Sequence, residues 1–388
     1  AFTPASTTKL LTAAAALATL GPQTRLHTRV LQLPEPTAAP SAPHTAPPAP
    51  NGTPEPQPPQ IAAERTIVLV GGGDPLLTAL PTGSDKLPAY PARAHLDDLA
   101  GQTARALSAA GIGRVRLRYD ASLFQGPTAP PEWDRTYTSD VVGPVSALSA
   151  DAGRGAPPDS GRVHNPALYT AALFAEELGH AGLTVVDRPA ELAAAAVGTP
   201  IADVASAPLS ALIEDMLVYS DNDVAEAVAR HVAIHDGKPA TFADAAAAVR
   251  DEVARLGVDL TGVTTYDGSG LSRQDRIPPR VLAQTLAVAA AGPNPALRVL
   301  IAGLGVAGVN GTLEQHFTDA RSAAARGVLR AKTGSLAGVV ALTGILPDAD
   351  DHLLSFGIVA DQVAGGSGAA ARVALERLAA ALLACGCH

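Results

Sequence analysis

Ser6 and Lys9 stand three apart in Ser6-Thr7-Thr8-Lys9, the first of three short segments whose residue types suit acyl transfer through a serine. The others are Ser220-Asp221-Asn222 and Lys332-Thr333-Gly334. The chain has only four lysines, Lys9, Lys86, Lys238 and Lys332, and two of them fall inside these segments. Residues three apart on a helix share a face, so the Lys9 amine can reach the Ser6 hydroxyl. That hydroxyl is a weak nucleophile until a base takes its proton. Lys9 is a base only when neutral. A free lysine titrates near about 10.4, so burial and a nearby cation must lower it, and Lys332 is the candidate cation. At a helix start, Ser6 also meets unpaired N–H groups and the positive dipole end, which favour a developing oxyanion.

The second segment fits a break between two helices, residues 207–217 and 223–234. There Ser220 would relay a proton between Lys9 and a leaving amine, and Asn222 would hydrogen-bond a substrate amide. Asp221 would cap the helix that follows. The third segment ends a strand-like run, residues 328–333. An edge strand can pair with an extended substrate backbone. Lys332 and Thr333 would hold a terminal carboxylate, and Gly334 would admit another backbone closely. The N–H groups of Ser335 and Ser6 would form an oxyanion hole. Singly, each segment also reads as an ordinary helix face, N-cap or strand end. Their joint order, on a helix, a loop and a strand, argues for chemistry.

Periodicity supplies the elements that must position them. Residues 6–20 read as a helix stopped by Gly21, and 25–33 and 65–70 as a strand hairpin. Residues 34–60, dense in Pro, Ala, Thr and Ser, read as a disordered loop at the hairpin tip. Gly71-Gly72-Gly73-Asp74-Pro75 lacks the spacing of a phosphate loop and reads as a turn. Helices at 95–111 and 165–181 then alternate with strands at 115–119 and 183–186. Further helices fall at 242–256, 279–291 and 366–383, and strands at 339–346 and 353–360. The expectation is an α/β (α+β) architecture. A catalytic domain, residues 1–76 and 208–388, has a central antiparallel sheet flanked by helices. A smaller α/β domain, residues 77–207, interrupts it.

A chain of 388 residues can bury the cores of two or three domains. Its net charge of −9, with no basic stripe, argues against a nucleic-acid partner. The apolar helical pattern near the start is about half the roughly 20 residues that span a bilayer, so no transmembrane segment is expected. A signal segment is also missing, since no positive n-region precedes an apolar h-region. No cofactor and no metal are expected. Cys385, Cys387 and His388 make a weak ligand set in a tail, and His231 and His235 lack the glutamate of a zinc-protease pattern.

The chain resembles the low-molecular-mass class C penicillin-binding proteins, the serine D-alanyl-D-alanine carboxypeptidase/endopeptidase family S13 that contains PBP4, in its actinobacterial branch. The stretches that carry the resemblance are Pro4-Ala5-Ser6-Thr7-Thr8-Lys9, Gly73-Asp74-Pro75, Asp267-Gly268-Ser269-Gly270-Leu271-Ser272, Gly311-Thr312-Leu313 and Ala331-Lys332-Thr333-Gly334-Ser335. The long separation of Ser6 from Ser220 agrees with it. The resemblance implies a β-lactamase/transpeptidase-like fold and an extracytoplasmic, secreted enzyme. Its substrates would be peptidoglycan stem peptides, and β-lactam antibiotics would be covalent inhibitors. Ser6 would attack the terminal D-Ala–D-Ala amide, D-alanine would leave, and water would resolve the acyl-enzyme. A D-Ala–diaminopimelate cross-link would be cut by the same steps.

The resemblance further implies that Trp133, Leu271, Arg273 and Leu336 line the pocket for the stem side chain, with Arg273 pairing a diaminopimelate carboxylate. For Trp133, packing in the inserted domain is an equal reading. Family members carry a signal and a strand pair ahead of Ser-x-x-Lys, so the sequence reads as N-terminally short. Two other functions stay open. A serine β-lactamase needs a placed base for deacylation, and no Glu-x-x-Leu-Asn pattern stands between 226 and 330. A non-catalytic peptidoglycan-binding or β-lactam-sensing module would not need the full set of reactive side chains present here.

Overall fold

The computed structural model describes residues 1–34, 64–84, 90–155 and 161–386. A 3-10 turn, Ala5–Thr8, leads directly into helix α1, Lys9–Thr19. The alanines and leucines of α1 favour helix, and Lys9 through Leu17 are all buried, so α1 is a central rather than a surface helix. Strands β1, His27–Gln32, and β2, Glu64–Val70, follow. Next come α2, Leu96–Ala109, and β3, Arg114–Asp120. After them stand α3, Tyr137–Asp140, α4, Pro166–His180, β4, Thr184–Val185, β5, Ala190–Glu191, and β6, Thr199–Ala205. Helices α5, Leu209–Val218, α6, Asn222–His235, α7, Phe242–Arg255, α8, Pro279–Ala291, and α9, Arg298–Ala302, form a run. The chain closes with β7, Gly305–Val306, β8, Arg330–Leu336, β9, Val339–Pro347, β10, Leu353–Ala360, and α10, Gly368–Ala381.

Two sheets result. One is antiparallel in the order β10-β9-β8-β7. Helix α8 packs against β10 and α10 against β9, so helices cover it as expected. The core beside it joins α1 to α5, α6, α7 and α8 through residues such as Leu10, Leu17, Leu212, Val228, Val249 and Leu286. The other sheet runs β4-β3-β2-β1-β6, with β5 also beside β3. Strands β2, β3 and β4 are parallel there, while β1 is antiparallel to β2 and β6. Its core contains Val30, Ile67, Leu69, Leu99, Leu117 and Phe174.

This second sheet corrects the expected boundary. The pair β1–β2 forms, with Val30 opposite Leu69, but it lies in the inserted sheet and not in the catalytic one. The insertion therefore begins ahead of His27 rather than at 77. Alternation reveals that a strand exists. Its sheet is chosen by partners distant in sequence, here β3 and β6. The Pro-rich stretch expected as a disordered loop, residues 34–60, lies outside the described residues apart from its first residue.

Candidate active site

Lys9 is the centre of the site. Its buried Nζ donates to Ser6 Oγ at 3.0 Å, to Asn222 Oδ1 at 2.7 Å and to the Ser269 carbonyl at 2.9 Å. Those acceptors come from the 3-10 turn ahead of α1, the first residue of α6, and the turn at 267–272. Burial lowers the Lys9 pKa to about 8, against the opposing pull of the Asp267, Glu226, Asp221 and Asp223 carboxylates. An amine so poised, beside a hydroxyl, can take its proton near neutral pH.

Ser6 sits in the tight turn rather than in α1 itself, a common way for a helix to begin. The residue before it, Ala5, has φ of 48° and is fully buried. Two glycines make room for that backbone. A Cβ on Gly270 would lie 2.0 Å from the Ala5 carbonyl oxygen, and one on Gly334 would lie 2.8 Å from the Pro4 carbonyl oxygen. The close backbone approach expected at Gly334 is made by the chain's own Pro4 and Ala5.

Ser220 also has a left-handed backbone, with φ of 63°, and its side chain makes no hydrogen bond among the described residues. Asp221 caps α6 as expected, accepting from Val224 N–H at 2.9 Å. Asn222 is held by contacts within the chain. Its Oδ1 holds Lys9, and its Nδ2 donates to the Val141 carbonyl at 2.9 Å, so the insertion supports it from behind.

Lys332 is buried, and its Nζ donates to the Thr333 carbonyl at 2.9 Å. Burial, and then the Lys9 charge, hold its pKa well below the usual lysine range. The electrostatic expectation is thereby altered: burial is the first cause at Lys9, and the effect between the lysines is felt at Lys332. Thr333 Oγ1 donates to Thr312 Oγ1 at 3.0 Å. Strand β7 pairs with β8 only at Ala331 and Arg330, so among the described residues no strand covers that edge from Lys332 to Leu336. Ser335 stands on this open stretch.

Trp133, Leu271 and Leu336 are brought together with Val142 and Phe242 in one apolar cluster. Trp133 is only 6 % exposed, meets the Phe242 ring edge-on at 5.2 Å, and donates Nε1–H to Asp267 Oδ2 at 2.7 Å. It packs the insertion onto the turn that carries Ser269. Arg273 lies outside this cluster, exposed, with Nη2 donating to the Ala337 carbonyl at 2.7 Å. His231 is half-buried and His235 exposed, and desolvation of the imidazole lowers the His231 pKa to about 4, which keeps it neutral.

Sequence reasoning missed Glu226, Asp267 and Thr312. Asp267 and Thr312 stood inside stretches that carried the family resemblance, but without a role. Glu226 follows Asn222 by one helical turn, a spacing that puts both on one face.

The sequence model of the D-Ala-D-Ala carboxypeptidase 3 (S13) family matches residues 1–38 and 155–382. The chain belongs to that family. It is 37% identical to the carboxypeptidase Rv3627c of Mycobacterium tuberculosis over 99% of this chain and 76% of that protein. It is 38% identical to the carboxypeptidase DacB of Mycolicibacterium smegmatis, again over 99% of this chain and 76% of that one. The fold is that of penicillin binding protein 4 from Haemophilus influenzae, with a TM-score of 0.78 at 20% identity over 98% of this chain and 91% of that one. The latter protein has also been solved in complex with a β-lactam. This S13 protein is a serine-type D-Ala-D-Ala carboxypeptidase. The family match skips 39–154, the stretch that holds Val141 and Trp133, whereas the mycobacterial relatives align across it.

Proposed function

We propose that Ser6 is the nucleophile and Lys9 its general base in hydrolysis of the terminal D-Ala–D-Ala bond of peptidoglycan stem peptides. The observation that carries this reading is the 3.0 Å contact of Lys9 Nζ with Ser6 Oγ, with Asn222 and Ser269 fixing the amine from two other directions. Neutral Lys9 takes the Ser6 proton while Oγ bonds to the penultimate D-alanine carbonyl carbon. The oxyanion forms beside the N–H groups of Ser6 and Ser335. The C–N bond then breaks, and Ser220 passes the Lys9 proton to the departing D-alanine amine. Water, losing a proton to the same base, adds to the ester carbonyl and frees Ser6.

The terminal carboxylate docks at Lys332 and Thr333. Its negative charge favours the ammonium form of Lys332, opposing the burial that depresses its pKa. The open edge of β8 around Gly334 lies alongside the extended peptide. Leu271, Leu336 and Trp133 wall the stem side chain, and Arg273 on the rim pairs with a diaminopimelate carboxylate. The same steps cut a D-Ala–diaminopimelate cross-link. β-Lactams acylate Ser6 and persist. The site of action is outside the cytoplasm, where peptidoglycan lies. Among the described residues no single helix is long and apolar enough to cross a membrane.

Intact mass after benzylpenicillin, followed by peptide mapping, tests the reading. A lasting adduct on Ser6 is expected. Rapid hydrolysis of the drug without an adduct would make the protein a β-lactamase. Failure to release D-alanine from a stem peptide would leave only a binding module.

A further inference from the structure

Glu226 lies behind Lys9 without touching it. It is 1% exposed and stands on α6 one turn beyond Asn222. Its Oε1 accepts the N–H groups of Gly268 at 3.1 Å and Ser269 at 2.8 Å, and its Oε2 accepts Gly268 N–H at 3.3 Å. The far end of the same turn is held by Asp267, whose Oδ1 accepts Gly270 N–H and whose Oδ2 accepts Ser272 N–H, both at 2.7 Å. With its N–H groups so occupied, the turn aims two carbonyls at α1. Gly268 O accepts from Thr12 Oγ1 at 2.7 Å, and Ser269 O accepts from Lys9 Nζ at 2.9 Å. Helix α6 thus reaches the lysine twice, directly through Asn222 and through the turn by way of Glu226.

We propose that Glu226 is a positioning residue that clamps the 267–272 turn and so holds the Lys9 amine on Ser6. The inference rests on the reading of Lys9 as the base. A buried carboxylate is an expensive way to satisfy two N–H groups, which a neutral amide oxygen would satisfy as well. Its charge therefore has a use of its own. Burial and the Asp267 charge push the Glu226 carboxyl up to about 7, so it is ionised where Lys9 titrates and favours the ammonium there. The charged groups around the pair are Asp267 and Asp275 from the 267–275 loop, Arg230 on α6, Asp221 and Asp223 at its start, and Lys332 on β8.

The test is the rate of Ser6 acylation by benzylpenicillin, followed by rapid-quench mass spectrometry from neutral to alkaline pH, for the wild type, Glu226→Gln and Glu226→Ala. Glu226→Gln keeps an oxygen for Ser269 N–H. Its plateau rate should stay close to wild type while the rising limb moves to lower pH, because a charge that favoured the ammonium is gone. Glu226→Ala releases the turn and should lower the rate about 10²-fold at every pH. If Glu226→Ala fails to fold, Glu226→Asp, whose shorter side chain draws the carboxylate away from both N–H groups, takes its place with the same expected loss. A Glu226→Ala rate equal to wild type overturns the clamp while leaving Lys9 as the base, and a Glu226→Gln limb that stays in place overturns the part assigned to its charge. A wild-type rate that does not rise with pH removes Lys9 as the base, and the clamp's purpose with it.

Discussion

Lys9 carries opposing demands at the scale of one residue. Burial presses it toward the neutral amine, and four carboxylates pull it back toward the ammonium, leaving it near 8. Only the neutral amine can take the Ser6 proton. Acylation should therefore rise with pH through about 8 and fall below it, which a pH series of burst rates will check. Lys9→Met should lower acylation about 10²–10⁴-fold, the usual worth of a general base. The same titration acts on stability. The folded protein holds this proton less tightly than the unfolded chain does, so between about 8 and 10.5 the unfolded state binds more protons. Stability gains a term that grows with rising pH across that window and is absent below it. Lys9→Met should remove the term, and urea titrations at the two ends of the window would measure the difference.

Close backbone packing governs the elements around Ser6. Gly270 has φ of 81°, and any Cβ there would strike the Ala5 carbonyl. Gly270→Ala should cost more than about 1 kcal/mol and slow acylation, since the residue ahead of Ser6 must move; thermal unfolding and burst kinetics would show both. This kind of fit is where sequence reading stopped. The long helices α2, α4, α6, α7 and α8 and strands β8, β9 and β10 were legible because their apolar periods are local. Strand β6 escaped, as it opens on an exposed Thr199-Pro200 pair and its pairing with β1 is fixed by tertiary context. The three candidate segments stood out because lysine is so scarce here. Glu226 was not, since one more glutamate on a helix looks like a solvated residue until the 268–269 N–H groups fold against it. The two-sided use of the Asn222 amide was hidden for the same reason.

The whole molecule is joined at the start of α6. Arg162 of the insertion, with its side chain 3% exposed, pairs with Asp223 at 2.8 Å, and Asp223 also accepts Gly143 N–H at 2.7 Å. Burial already pushes the Asp223 carboxyl up to about 6, with Asp221 adding and Arg162 opposing. Arg162→Ala should leave that carboxylate without its partner and cost about 3–5 kcal/mol, read by denaturant unfolding. Acylation should weaken with it, because Asn222 is the neighbour of Asp223. The lysine contacts described above also have a meaning in time. Ser6 and Lys9 lie at the early end of this sequence, while the acceptors Asn222 and Ser269 lie 213 and 260 residues later. During synthesis Ser6, the proposed nucleophile, leaves the ribosome long before the Lys9 amine can be held in place. A nascent chain that stops short of Lys332 carries a serine and a lysine but no assembled site. Hydrolytic competence then arrives late and all at once, as a property of the finished polypeptide.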